Sequence, residues 1–250
     1  MYQQERIYQI LQLLKEKQTL TNQEIMNEFH ISRDSARRDI LKIVNEGKAE
    51  RTHGGITLCT IHDQVGAYNV RKEQNVLAKK AIAKQAIQYL TVHKICFFDV
   101  STTVYEICAL VDKNIEAYTH SLSNIDVLAK HCDTYMVGGK YNQKNRFMYG
   151  SQVLNVLDDI YFDFAYIGAA AIKEDGIYVE DFEDAAIKKK LAKRCACLCV
   201  VADQSKYLKT SKYRALQWKE INMLCIDAFP PENILKEIRN AGCCLDVIKK

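Results

Sequence analysis

The chain has 250 residues, of which 48% are hydrophobic and 26% charged, with a formal net charge of +4. That apolar content fills either one large core or a small and a medium one, and it excludes a disordered chain. The first residues hold no unbroken apolar run of signal-peptide length and no later segment approaches the roughly 18 apolar residues that span a bilayer, so the ten cysteines are expected as reduced thiols in a soluble, cytoplasmic protein.

At the N-terminus, Ile7, Ile10, Leu11 and Leu14 recur at helical spacing in "ERIYQILQLLKEK" and predict a first amphipathic helix. A second helix starts at Thr21. There "TNQE" has the form of a capping box, in which the Thr21 side chain caps the first turn and Glu24 reaches back, with Ile25 and Phe29 on the buried side. After the short turn "HIS", Ser32 is the expected N-cap of a third helix with Ala36, Ile40, Ile43 and Val44 on one apolar stripe and Gly47 closing it.

If that stripe faces inward, Arg33, Ser35 and Arg37 of "SRDSARRDI" face outward at the leading end of the helix, with Arg38 at the margin, in reach of a phosphate or of Asp34. On the charge run alone, a solvated arginine face on an ordinary surface helix is the favoured reading. The next segment tips the balance. "KAERTHGGITL" reads as two short strands around a glycine turn, with Arg51, His53 and Gly54 near the tip, so the whole has the pattern of a winged helix-turn-helix. Its third helix would enter the major groove of a DNA duplex while the wing lies along the backbone or minor groove. Over residues 1–58 nine Lys or Arg oppose eight Asp or Glu, so binding must rest on clustered charge, and a homo-oligomer is expected to double the contacts.

Residues 59–70 lack strong periodicity and read as a linker. From residue 71 to 250, helical segments alternate with short apolar strands, which predicts an α/β domain with a mainly parallel sheet and a ligand site at the carboxyl ends of its strands. The turn "FFDVSTTVYEI" is the sharpest such signal. Asp99 ends a strand, and Ser101, Thr102 and Thr103 open a helix whose free amides and dipole suit an anion, although simple N-capping would need the same residues. His120, the pair Gly138 and Gly139, and Lys206 fall at further strand ends that a parallel sheet gathers on one edge. Cys195, Cys197 and Cys199 alternate in "CACLCVVAD", and Cys243 and Cys244 are adjacent. Neither spacing suits a zinc site, so no metal or cofactor is expected and strand burial explains them better.

Arg37-Arg38-Asp39 in the third helix and Arg51-Thr52-His53-Gly54-Gly55 in the wing, at this separation, resemble the N-terminal domain of the DeoR family of bacterial transcription regulators. The resemblance extends through "DVSTTVYEIC", "YTHSLSNIDVLA", "MVGGKYNQKNRFMYG", "DFAYIGAAAI", "EDFEDAAIKKKLAK" and "VVADQSKY" to almost the whole chain. It implies a C-terminal domain similar in fold to ribose-5-phosphate isomerase that senses a phosphorylated sugar, with Asp99, Ser101, Thr102, Thr103, Gly138, Gly139, Glu183 and Lys206 on the ligand-lining positions. Two positions depart from the family pattern: Val100 stands where glycine is usual, and His120 where asparagine is common. Since a β-branched residue disfavours positive φ, a reshaped phosphate loop or an altered specificity is expected.

The expectation is therefore a repressor of sugar or nucleoside metabolism genes that binds double-stranded operator DNA under control of a phosphorylated sugar, and not an enzyme. Two alternatives are weighed against it. One is a sugar-phosphate isomerase with Asp99, Glu183 and Lys206 in acid–base and electrostatic roles. The other is a thiol or metal sensor, which the cysteine spacing disfavours.

Overall fold

The structure, a computed structural model, describes residues 3–45, 48–52, 54–58, 68–92, 94–112 and 114–248. Gly47, His53 and residues 59–67 of the expected linker lie outside them. Contacts divide the chain into two compact units, which fall largely within residues 1–63 and 64–250.

In the N-terminal unit, α1 (Gln3–Lys17), α2 (Asn22–Phe29) and α3 (Arg33–Asn45) follow the expected pattern, with a short strand β1 (Thr19–Thr21) between the first two. Thr21 caps α2 as anticipated. Its Oγ1 accepts from the Glu24 amide at 3.1 Å, and the Glu24 carboxylate accepts from the Thr21 amide at 2.7 Å. The strands β2 (Ala49–Arg51) and β3 (Gly55–Leu58) form the wing, and β3 pairs on its other side with β1, giving the order β1-β3-β2. A side chain at residue 55 would put its Cβ 1.9 Å from the Leu20 carbonyl oxygen, so only glycine lets β3 close onto β1. Ile7, Ile10, Leu14, Leu20, Ile25, Ala36, Ile40, Ile43 and Ile56 make the core; Leu11, Phe29 and Val44 pack partly buried against it.

The C-terminal unit begins with α4 (Tyr68–Glu73) and α5 (Val76–Ala86). Residues 68–70, read from sequence as the end of the linker, are thus helical, and Tyr68 is buried. The rest runs β4 (Ile95–Phe98), α6 (Thr102–Cys108), β5 (Glu116–Thr119), α7 (Leu122–Leu128), β6 (Asp133–Met136), a hairpin of β7 (Lys140–Asn142) and β8 (Phe147–Tyr149), and α8 (Ser151–Asp159). Then come β9 (Phe162–Gly168), β10 (Ala171–Lys173), β11 (Gly176–Val179), α9 (Phe182–Lys193), β12 (Cys195–Ala202), β13 (Tyr213–Leu216), β14 (Met223–Ile226), α10 (Glu232–Asn240) and β15 (Cys244–Val247).

Seven of these strands form a sheet in the order β15-β14-β12-β9-β4-β5-β6, every pairing in it parallel, as the alternating pattern predicted. Period-two alternation sends Phe97, Leu198, Val200 and Ala202 to one face, against α8, α9 and α10, and Cys96, Phe98, Cys199 and Val201 to the other, against α5 and α6. A separate antiparallel sheet, β10-β11-β13, adds to the first face. The chain steps outward from β4 to β5 and β6 on one side and from β9 onward on the other. The junction of β4 and β9 is therefore the switch point where a parallel sheet opens a crevice at its carboxyl edge.

Nine described cysteines are free thiols, Cys195 and Cys199 being buried among core side chains on β12. Among the described residues no group of His, Cys, Asp and Glu is placed to hold a metal ion, and no helix is long and apolar enough to cross a membrane.

Candidate functional site

Two sets of side chains stand out, one in each unit. In the first, α3 buries Ala36, Ile40 and Ile43, which leaves Arg33, Arg37 and Arg38 exposed and Ser35 half-buried on the opposite side. Ser32 caps the helix, its Oγ accepting from the Ser35 amide at 3.3 Å and donating to the Ser35 Oγ at 3.1 Å. Arg38 Nε donates to the backbone carbonyl of Asp34 at 3.3 Å rather than to its carboxylate, so it is held near the first turn. Asp39, read only as part of a motif, is completely buried and accepts from Gln3 Nε2 at 2.9 Å and Arg6 Nε at 2.6 Å. That ion pair fixes the rotation of α3 against α1 and so points the arginines outward. Arg51 and Gly54 are exposed on the wing, and the Gly54 carbonyl accepts from the Asn22 amide at 2.7 Å.

In the second unit a solvent-open cleft lies at the switch point. Its wall takes Val100, Ser101, Thr102 and Thr103 from the turn after β4, Gly168, Ala169 and Ala170 from the end of β9 and the turn after it, Asp181 from just before α9, Asp184 and Lys188 from the first two turns of α9, Lys206 from the turn after β12, and Arg71 and Asn145. Of the residues expected at a ligand site, the structure therefore brings Ser101, Thr102, Thr103 and Lys206 together. Asp99 and His120 lie directly beneath them, both fully buried.

Beneath the cleft is a charge network. Asp99 Oδ2 accepts from the Gly168 amide at 2.9 Å and lies 2.9 Å from Lys188 Nζ, while Oδ1 is 3.0 Å from His120 Nε2. Lys188 also donates to Asp184. Burial alone would raise the Asp99 pKa, but the ammonium of Lys188, with His120 and the Gly168 amide, outweighs it and holds the carboxylate well below the usual range. Burial would likewise lower Lys188, and its two carboxylate neighbours raise it instead. Burial pushes Asp184 up against the pull of the same lysine. His120 Nδ1 is 3.1 Å from the Met148 carbonyl, which only accepts, so that nitrogen carries the hydrogen. The Val100 amide nitrogen lies 3.2 Å from the same His120 Nε2. Val100 does not adopt positive φ, so a β-branched side chain is accommodated there without strain.

Three expectations change. Ser101 Oγ accepts from the amides of Thr103 at 3.2 Å and Val104 at 3.4 Å, so two of the amides expected to be free for an anion are occupied by capping. Glu183 is exposed and outside the cleft; its neighbour Asp184 is the one that lines it, since one residue along a helix turns a side chain by about 100°. Gly138 and Gly139 do not line the cleft either. A Cβ on Gly139 would approach the Tyr149 carbonyl oxygen to 2.5 Å, so that glycine serves the packing of the β7–β8 hairpin. The glycine the cleft does need is Gly168, where a Cβ would lie 2.4 Å from that of Ser101.

Sequence reading missed Arg71, Asn145, Gly168, Asp184 and Lys188. The spacing of Asp184, Lys188 and Leu191 down one side of α9 was the available signal for two of them.

Residues 74–228 match the DeoR C terminal sensor domain and residues 6–62 the DeoR-like helix-turn-helix domain. The chain is 34% identical to the HTH-type transcriptional repressor GlcR of Bacillus subtilis, over 92% of this chain and 90% of that one. It is 28% identical to the L-fucose operon activator of Haemophilus influenzae, over 91% and 93%. Among solved structures, a D-ribose-5-phosphate isomerase in complex with phospho-erythronic acid aligns over 51% of this chain and 52% of that chain, with 15% identity and a TM-score of 0.39.

Proposed function

Since the chain belongs to the DeoR family of transcription regulators, we propose that it is a cytoplasmic repressor of genes for sugar or nucleoside use, whose operator binding is modulated by a phosphorylated sugar held in the cleft. The observation that carries this reading is the cleft at the β4–β9 switch point, where the Ser101–Thr103 turn, Lys206 and Arg71 offer hydroxyls and cations beside the carboxylates of Asp181 and Asp184. Cations and hydroxyls suit a phosphate; carboxylates and the Asn145 amide suit the hydroxyls of a sugar. The exposed Arg33, Arg37 and Arg38 of α3, Ser32 and Ser35 at its start, and Arg51 and Gly54 on the wing are the DNA-facing set, with His53 at the wing tip by sequence. A homo-oligomer would double these contacts on a symmetric operator.

The isomerase alternative loses ground on geometry. Glu183, its candidate base, is exposed outside the cleft, and Asp99 is held ionised in an ion pair with Lys188, which leaves it a weak base.

Fluorescence anisotropy on the upstream DNA of its own gene, against a random duplex at fixed salt, tests the reading with and without a panel of sugar phosphates. Specific binding weakened by one sugar phosphate and untouched by its unphosphorylated parent is expected. Absence of specific binding across the panel sinks the proposal, and binding strengthened by the ligand makes that ligand a co-repressor instead of an inducer.

A further inference from the structure

Asp181 immediately precedes α9, the position from which an aspartate ordinarily accepts a hydrogen bond from an amide of the first helical turn. Its carboxylate makes no such bond. It stands instead in the cleft wall, half-buried, where Asn145 Nδ2 donates to Oδ2 at 2.7 Å and Asn142 Nδ2 donates to Oδ1 at 3.3 Å. The helix forgoes its cap, and two side-chain amides of the β7–β8 hairpin hold the carboxylate at the cleft. Both of those amides are neutral. The cations whose charge reaches Asp181, Lys212 and Arg71, bond elsewhere: Lys212 Nζ lies 2.8 Å from Glu180 Oε1, and Arg71 Nη1 donates to Asn145 Oδ1 at 2.8 Å.

The formal charge of the whole cleft adds to this. Its three lining cations, Arg71, Lys188 and Lys206, meet three lining carboxylates, Glu180, Asp181 and Asp184, and Asp99 lies beneath them. Lys188 is shared by Asp99 and Asp184, so two carboxylates stand on one ammonium. A ligand whose only charge is a phosphate therefore brings further negative charge to a cleft whose carboxylates already outnumber its cations. We propose that Asp181 reads an amino group on the effector, which makes the ligand of the cleft a phosphorylated amino sugar, with its ammonium on the Asp181 carboxylate and its phosphate at the Ser101–Thr103 turn and Lys206. This rests on the cleft being the effector site. A sugar hydroxyl also donates to a carboxylate, but an ammonium makes the stronger, charge-assisted bond and supplies the positive charge as well. The difference grows as the ligand displaces water from Asp181, because a carboxylate taken out of water is costly unless an opposite charge meets it.

The test titrates the full-length protein calorimetrically with the 6-phosphates of glucose, galactose and mannose, the 2-amino and 2-acetamido forms of each, and the unphosphorylated parents. For at least one hexose, wild type is expected to bind the amino form roughly 10- to 100-fold more tightly than the hydroxyl form. The acetamido form, whose nitrogen carries no charge, should gain nothing. Asp181→Asn keeps the shape of the side chain and removes its charge, so it should erase the preference for the amine while leaving the affinity for the hydroxyl form within about threefold of wild type. The ranking of the three forms by wild type needs no variant and decides the matter alone if Asp181→Asn does not fold. A hydroxyl or acetamido form bound as tightly as the amine overturns the ligand class, and a preference that survives in Asp181→Asn overturns the assignment of Asp181. Either result leaves the cleft as the effector site. Failure of wild type to bind any phosphorylated member of the panel removes the reading of the cleft, and the role of Asp181 with it.

Discussion

In α3 the charges proposed to meet DNA are exposed, and the one buried charge nearby, Asp39, is an anchor to α1. In the cleft the arrangement is reversed. Asp99, Lys188 and His120 are fully buried, so the groups that shape the site also hold the fold together. The recognition face can change its side chains with little effect on stability, because its arginines rest on a helix fixed by other residues. The cleft has no such freedom, since removing one member leaves its partners charged and dry.

The sharpest way to break this contrast is Lys188→Met, which leaves the Asp99 and Asp184 carboxylates without their ammonium. A loss of about 3–5 kcal/mol in unfolding free energy at pH 7 is expected, measured by denaturant titration. The sign of its pH dependence follows from the carboxylates. In the wild type Asp99 is held below its unfolded pKa of about 3.9, so its contribution is full above that pH and fades as pH falls through the folded value. In the variant burial acts unopposed by Lys188 and favours protonation, so the deficit relative to wild type should shrink as pH falls from 7 towards about 4, and shrink further below it as the wild type loses its own contribution. A deficit that does not change with pH would mean lost packing rather than an uncompensated charge.

Next in size, Arg37→Ala should weaken binding to the upstream DNA roughly tenfold or more while moving stability by less than about 0.5 kcal/mol. An equal loss on a random duplex would recast Arg37 as a phosphate contact, and a large fall in stability would erase the contrast between the two regions. The smallest effect tests local structure within the N-terminal unit. Thr21→Ala removes the side-chain half of the capping box and should cost about 1 kcal/mol without altering the DNA sequence preferred.

What could be read from the sequence was mostly local. The Thr21–Glu24 box, the Ser32 cap, the apolar stripe of α3 and the wing glycines are set by residues a few positions apart, and all the described ones stand as the spacing implied. The pairing of β1 with β3 was invisible because three residues carry no periodicity and the partner lies 38 positions away, Thr19 against Thr57. In the cleft, "STT" was visible as a helix start, but Lys188 was hidden inside "KKK", a run that reads as a solvated face. Only the packing of α9 on the sheet decides that the first of the three lysines turns inward while Lys189 is exposed. Arg71 was hidden differently, at the edge of a stretch with too little pattern to show a helix. Gly168 lay inside an apolar strand, and the closeness of Ser101, 67 residues away in sequence, was needed to show its use.

The sheet order has a consequence for the protein during its own synthesis. The elements of the N-terminal unit are complete by Leu58 and make short-range contacts that form quickly, whereas β4 sits between β5 and β9 and is not flanked on both sides until Gly168 has emerged. At ribosomal speeds of about 5–20 residues per second, the remainder of the chain takes roughly 10–40 s to follow. For that interval each nascent chain carries a folded reading head and no sensor, so its earliest encounters with DNA, if it makes them while tethered to the ribosome, answer to no metabolite.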